Sequence, residues 1–150
     1  MEIAWLDCHH RELTAQQLYT LLALRNQVFI VEQQCPYQDL DGQDLAAENR
    51  HILGFLEGRL LACARILTPA QPGEAVVVGR VIVSEEARGL RLGYRLMEQV
   101  LSSCETHWPG QAIYLSAQAH LEGFYGRLGF QAVTAVYLED DIPHIGMQKI

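Results

Sequence analysis

Residues 76–97 change from one periodicity to another within a few positions, and that switch constrains the fold more than any other stretch of the chain. Val76-Val77-Val78-Gly79-Arg80-Val81-Ile82-Val83 is rich in β-branched residues, which suit a pleated, half-buried backbone. Beyond the polar turn around Arg88 and Gly89, Leu92, Leu96 and Val100 recur at helical spacing. The stretch reads as strand, loop and helix, the helix running from about Leu90 to Thr106. The first amides of a helix lack internal partners and its dipole favours negative charge there, so this loop is a place for an anion. Gly89 and Gly93 carry no Cβ and let a diphosphate approach the main chain, while Arg88 and Arg91 add positive charge. The turn has neither the Gly-Lys-Ser/Thr of a phosphate loop nor the three spaced glycines of a dinucleotide fingerprint.

With 150 residues, 49% hydrophobic and 19% charged, the chain reads as one globular domain, 1–150, with a core of its own. No apolar run is long enough to cross a membrane, and the start Met1-Glu2-Ile3-Ala4-Trp5 lacks the basic, apolar pattern of a secretion signal, so a cytoplasmic location is expected. A formal charge of -7 repels a nucleic-acid backbone and mildly favours a cationic substrate such as an amine. Cys8, Cys35, Cys63 and Cys104 form no Cys-x-x-Cys pair and read as reduced thiols, mostly in the core.

In chain order, Ile3 to Leu6 is a first strand. Thr14 caps a helix from about Ala15 to Val31, whose apolar face carries Leu18, Leu21, Leu22, Val28 and Phe29 with Arg25 at its edge. His9 and His10, adjacent in an extended segment, point to opposite sides and read as solvated rather than metal-binding. Glu32 to Asp44 is long, irregular and acidic. It lacks the glycine and glutamate of a calcium loop, and reads as a wall of a substrate pocket. Strands at Asn49–Leu56 and Leu60–Leu67 form a hairpin about Glu57-Gly58-Arg59, and Val76–Val83 completes a meander. Trp108-Pro109-Gly110 ends the long helix. A strand at Ala112–Ser116, a helix at Ala117–Leu128 capped by Gly129, and strands at Ala132–Glu139 and Ile145–Ile150 follow.

Two motifs carry a family resemblance. Arg88-Gly89-Leu90-Arg91-Leu92-Gly93 resembles the pyrophosphate loop of the GNAT N-acetyltransferase superfamily, Arg/Gln-x-x-Gly-x-Gly/Ala, with Arg91 where that pattern has its middle glycine. Phe124-Tyr125-Gly126-Arg127-Leu128-Gly129-Phe130 resembles the superfamily's Phe-Tyr-x-x-x-Gly-Phe signature. Residues 25–37, Asn49-Arg50-His51 and Pro143-His144-Ile145-Gly146-Met147 are similar to its ElaA-like group, so the likeness spans nearly the whole chain. It implies an α+β fold with a mixed, mostly antiparallel seven-stranded sheet splayed between strands 4 and 5, and helices on both faces.

The resemblance also implies a function: transfer of an acetyl group from acetyl-CoA to a primary amine of a small molecule or peptide, by direct attack in a ternary complex without a metal. The diphosphate would lie on Arg88, Gly89, Leu90, Arg91, Leu92, Gly93 and Tyr94. The pantetheine arm would pair with Val81, Ile82 and Val83 as an added strand and meet Gln118. Tyr125 matches the residue that protonates the leaving thiolate, a task suited to a phenol of reference pKa ~10. An ammonium cannot attack, so a base is needed; Glu32 and His51 are the leading candidates, with His144 and His120 behind them. Two other readings compete: an acyl-homoserine-lactone-synthase-like acyltransferase drawing on an acyl carrier, and a non-catalytic acyl-CoA-binding module. The residues leave a homodimer open.

Overall fold

The structure, a computed structural model, describes residues 2–89 and 91–150. Its strands are β1 (Ala4–His9), β2 (Arg50–Leu56), β3 (Arg59–Leu67), β4 (Val76–Val83), β5 (Ile113–Gln118), β6 (Gln131–Ala132), β7 (Tyr137–Glu139) and β8 (Ile142–Lys149). The helices are α1 (Ala15–Arg25), α2 (Leu92–His107) and the short α3 (Glu122–Gly126). The strands form one sheet in the order β1-β2-β3-β4-β5-β8-β6, with β7 also pairing with β8. Every pairing among the described residues is antiparallel except that of β4 with β5, which the crossover through α2 allows.

Period-2 alternation in the central strands feeds two cores. Ile52, Ala62, Ala64, Val76 and Val78 face Leu92, Leu96, Met97 and Val100 of α2, while Leu53, Cys63 and Ile82 face Leu21 and Val28 on the other side. Each helix thereby covers one face of the sheet. Thr14 caps α1 as expected: its hydroxyl accepts from the Gln17 amide at 3.0 Å, and the Gln17 side chain accepts from the Thr14 amide at 2.9 Å.

Four expectations about elements need correction, the first being the single helix at 117–128: β5 runs on to Gln118, a 3-10 turn covers Ala119–Leu121, and α3 is only Glu122–Gly126. The sheet has eight strands rather than seven, because the 132–139 stretch divides into β6 and β7. Between them the Thr134 hydroxyl, not a main-chain group, takes the Gly146 amide at 2.8 Å and interrupts the ladder. Asp140 and Asp141, at φ 50° and 63°, make a two-residue turn that starts β8 at Ile142, ahead of the expected Ile145. The first long helix changes at Asn26 into a wider π-helical segment, Asn26–Glu32, a feature frequent at functional sites. His9 and His10 are half-buried rather than solvated: the His9 ring meets the Glu48 carboxylate at 2.9 Å and the His10 ring the Ala47 carbonyl at 2.9 Å.

The sheet opens between β4 and β5. Their parallel ladder covers only Val76, Val77 and Val78 against Ile113, Tyr114 and Leu115, although β4 continues to Val83 and β5 to Gln118. A bulge in β4 lies at the point of divergence. On the β3 side the register steps from Cys63 opposite Ile82 to Arg65 opposite Gly79, two residues against three, and Arg80 sits at φ 51°. An extra residue in one strand bends it and re-aims its side chains.

Candidate active site

The divergence opens a cleft of about 890 Å³. One wall is the free half of β4, Gly79 to Val83; facing it are Ser116, Ala117 and Gln118 of β5 together with Phe124 and Tyr125 of α3. The π-helical segment contributes Val28, Phe29 and Glu32, and the irregular loop beyond it Gln33, Cys35, Tyr37 and Gln38, so the acidic stretch does wall the cleft. Arg88 and Gly93 stand at the end where α2 begins.

The start of α2 has free donors. Among the described residues no side chain caps it, so its first-turn amides are left for another acceptor. Gly89 has φ 90°, and nothing lies within 4 Å of where a Cβ would sit. Arg91, the residue that departs from the motif, takes φ 58° and ψ 24°. It thus adopts the left-handed conformation that glycine reaches at no steric cost, at a penalty of about 1–2 kcal/mol. A further cationic side chain is thereby retained in the loop.

Of the residues expected to hold a donor molecule, Val81, Ile82, Val83, Arg88, Gly93, Gln118 and Tyr125 line the cleft. Gly89 and Arg91 belong to the exposed turn leading into α2. The Leu92 side chain is in the core, and the Tyr94 ring meets Phe124 edge-on at 6.4 Å, so these two offer the loop their main chain rather than their side chains. Leu90 lies outside the described residues.

The candidate bases part company. His51 is fully buried on β2, does not border the cleft, and bonds through Nε2 to the Asp44 carbonyl at 2.9 Å. Burial lowers its pKa. An imidazole there cannot reach an acceptor in the cleft; its adjacency to Arg50 in a strand carries no information about which face is sealed. Glu32 does face the cleft, but both its oxygens are held by the Arg88 guanidinium, one bond measuring 3.0 Å. That pairing lowers its pKa, and a carboxylate so held is a weak proton acceptor. Tyr125 is 6% exposed and packs edge-on against Phe124 at 5.0 Å and Phe130 at 6.0 Å. Burial pushes its phenol up to about 12, so it is a hydrogen donor throughout the neutral range.

Two groupings beside the cleft escape motif reading. Arg25, 0% exposed, reaches Asp39 at 3.0 Å and Asp44 at 2.6 Å; Arg65 reaches Asp41 at 2.9 Å and Asp44 at 3.2 Å; Arg80 reaches Asp39 at 2.8 Å. Three guanidinium groups from α1, β3 and the β4 bulge thus clamp three loop carboxylates, and the Tyr37 hydroxyl donates to Asp39 at 3.2 Å. The loop charge is neutralised locally, so its acidity does not by itself attract a cation. Desolvation opposes ionisation of Asp41, but its bonds to Arg65 and the Gln43 amide, with the charge of Arg80, hold it at about 2. The signal in the sequence was Arg25 on a helix edge ahead of an acidic loop. The second grouping joins β5, β7 and β8: Ser116, Tyr137, Glu139 and His144, with Ser116 bonded to the Tyr137 hydroxyl.

A family model described as "Acetyltransferase (GNAT) domain" matches residues 10–150. The chain belongs to this family. Protein ElaA of Escherichia coli (strain K12) is 56% identical over 147 residues, 98% of this chain and 96% of that one. The crystal structure of Escherichia coli ElaA superposes with a TM-score of 0.96 at 55% identity, covering 99% of this chain and 100% of that one. A crystal structure of an acyl-CoA N-acyltransferase from Pseudomonas aeruginosa has the same TM-score, 0.96, at 52% identity and the same coverage, 99% and 100%. Within the acetyltransferase family the chain falls in the ElaA-like group, and the parted strands and uncapped helix described above are its GNAT fold.

Among the described residues no helix is long and apolar enough to cross a membrane, and no group of His, Cys, Asp and Glu side chains could hold a metal ion. All four cysteines are free, Cys63 and Cys104 being buried and Cys8 and Cys35 partly exposed.

Proposed function

We propose that the protein is an acetyl-CoA-dependent N-acetyltransferase that acts on a primary amine of a small molecule or peptide, in a ternary complex. One observation carries this reading: the diverging ends of β4 and β5 form a slot that leads from the uncapped start of α2 to the buried hydroxyl of Tyr125. The residues present fit the donor. Main-chain amides at the start of α2 with Arg88 and Arg91 would hold its diphosphate, the edge of β4 at Val81, Ile82 and Val83 that turns away from β3 its amides, and Gln118 its arm. The donor supplies an activated acyl carbon and a thiolate leaving group. Relatives of high identity described as ElaA and as an acyl-CoA N-acyltransferase support the reading, and a cytoplasmic location goes with it.

This chain's part in the chemistry is to align and to manage protons. The Tyr125 hydroxyl donates to the departing sulfur. Glu32 holds Arg88 at the cleft wall, and loop anion and Glu32 compete for that guanidinium. Calorimetry with acetyl-CoA, followed by a thiol-release screen over polyamines, amino acids, aminoglycosides and peptide N-termini, tests the assignment. Binding followed by amine-dependent thiol release supports it. Binding without release from any amine favours a binding module, and release only from an acyl-carrier thioester favours a carrier-dependent acyltransferase.

A further inference from the structure

We propose that His144 takes the proton from the acceptor amine, with Glu139 as its positioning residue; this rests on the acyltransfer reading. His144 lies in β8 opposite Gln118 of β5, is 8% exposed and borders the cleft. Its Nδ1 is 2.7 Å from the Ile142 carbonyl oxygen. A carbonyl only accepts, so Nδ1 carries the hydrogen and neutral His144 has its lone pair on Nε2. Glu139 Oε2 stands 3.6 Å from that nitrogen, positioned to stabilise the imidazolium once Nε2 is protonated. The ring stacks on Tyr137, centroids 6.3 Å apart, and Tyr137 is itself bonded to Ser116. The imidazole is therefore fixed in tautomer by the main chain of its own strand and in plane by a neighbouring ring, with a carboxylate 3.6 Å from its free nitrogen.

The other histidine bordering the cleft, His120, is exposed and has no hydrogen bond fixing its ring among the described residues. The titratable groups around His144 are Glu139 and Tyr137 on β7, Asp140 in the turn, His120 after β5, and Tyr114 on β5. Cys35 closes this end of the cleft, its thiol donating to the Asp140 carbonyl at 3.6 Å.

His144 Nε2 removes one proton from the acceptor ammonium, and the freed nitrogen lone pair forms the bond to the thioester carbon. The carbon–sulfur bond breaks with its electron pair leaving on sulfur. The attacking nitrogen loses its second proton as the amide forms. The thiolate and the solvent share the remaining protons, and His144 returns its own to water. The sum is ammonium plus thioester giving amide, thiol and one proton.

The test is the pH dependence of kcat/KM for wild type, His144→Gln and Glu139→Gln, on whichever amine the screen selects, with donor binding measured by calorimetry and folding by thermal melts. His144→Gln is expected to lower kcat/KM by roughly 10²- to 10⁴-fold at neutral pH and to abolish the acid limb of the profile, while donor affinity and melting temperature stay within error. Glu139→Gln should lower kcat with KM little changed, because the imidazolium formed in the step loses its carboxylate, and Glu139→Asp should restore part of the loss. As a second readout, nitrogen NMR of His144 should show the Nδ1–H tautomer in the neutral form. Normal turnover in His144→Gln with an unmoved acid limb, or an Nε2–H tautomer, overturns the proposal alone. Wild-type protein that binds no coenzyme A thioester overturns the acyltransfer reading and this proposal with it.

Discussion

Replacing Tyr125 by Phe removes one hydroxyl and little else. The ring keeps its edge contacts with Phe124 and Phe130, and the hydroxyl bonds to no described residue, so the melting temperature should hardly move. Its role can be worked from its acidity. Burial pushes the phenol to about 12, while a thiol has a reference value near ~8.5. Complete transfer of the proton to a thiolate is then uphill by roughly 3.5 units, or about 5 kcal/mol at ~1.36 kcal/mol per unit. Tyr125 should accordingly act mainly as a hydrogen-bond donor to the charge growing on sulfur. That shifts the expected role from proton exchange toward stabilisation of the leaving group. A donor of this kind, in a site shielded from water, is worth about 2–4 kcal/mol, or roughly 30- to 1000-fold in kcat. A group titrating at about 12 adds no limb to a profile measured below pH ~10, so the ratio of wild-type to Tyr125→Phe rates should be flat from about pH 6 to 9. The assay is thiol release at saturating donor. A ratio near one, or one that collapses through a titration within that range, would refute the reasoning.

Other expectations concern the walls of the cleft. Arg25→Met leaves the buried carboxylate of Asp44 short of its best partner and should cost about 3–5 kcal/mol. At ~2–4 °C per kcal/mol that lowers the melting temperature by roughly 6–20 °C; a shift under ~2 °C would mean the clamp contributes little. Asp41, held at about 2 when folded against ~3.9 in an unfolded chain, contributes stability that is complete above pH ~4 and lost as pH falls toward ~2. Because Asp41 is exposed the contribution is about 1 kcal/mol, and Asp41→Asn should flatten that part of the urea-midpoint profile relative to wild type. Gly54→Ala would put a Cβ 2.5 Å from the Trp5 ring across the β1–β2 pair, and overpacking of this kind costs about 1–3 kcal/mol, read as a lower urea midpoint with unchanged slope.

Much of the fold was legible where its cause is local. The β-branched run and the helical spacing behind it yielded β4 and α2. Thr14 and Gln17 marked the start of α1, and Glu57 with Gly58 at φ 51° and 81° made the expected hairpin turn. Arg88, Gly93 and Tyr125 could be placed at the cleft because the stretches that contain them resemble the two GNAT motifs. The carrying features of the site were not legible in the same way. Glu32 and Arg88 are 56 positions apart, and nothing in either segment names the other. His51 looked available because a strand residue's exposure depends on what lies over its face, here the loop that supplies Asp44. The π-helical turn and the bulge at Arg80 leave no periodic trace, since each shifts the pattern by a single residue.

The amino-acid order alone therefore determined most of the strands and helices, β4 and α2 above all, and the glycine- and arginine-bearing turn between them. Those properties follow from propensity, spacing and main-chain geometry within a few residues. Only the tertiary structure decided which charged groups neutralise one another and which imidazole faces the cleft. Burial and ionic pairing depend on distances between segments far apart in the chain, and those distances exist only once the sheet has closed around its two cores.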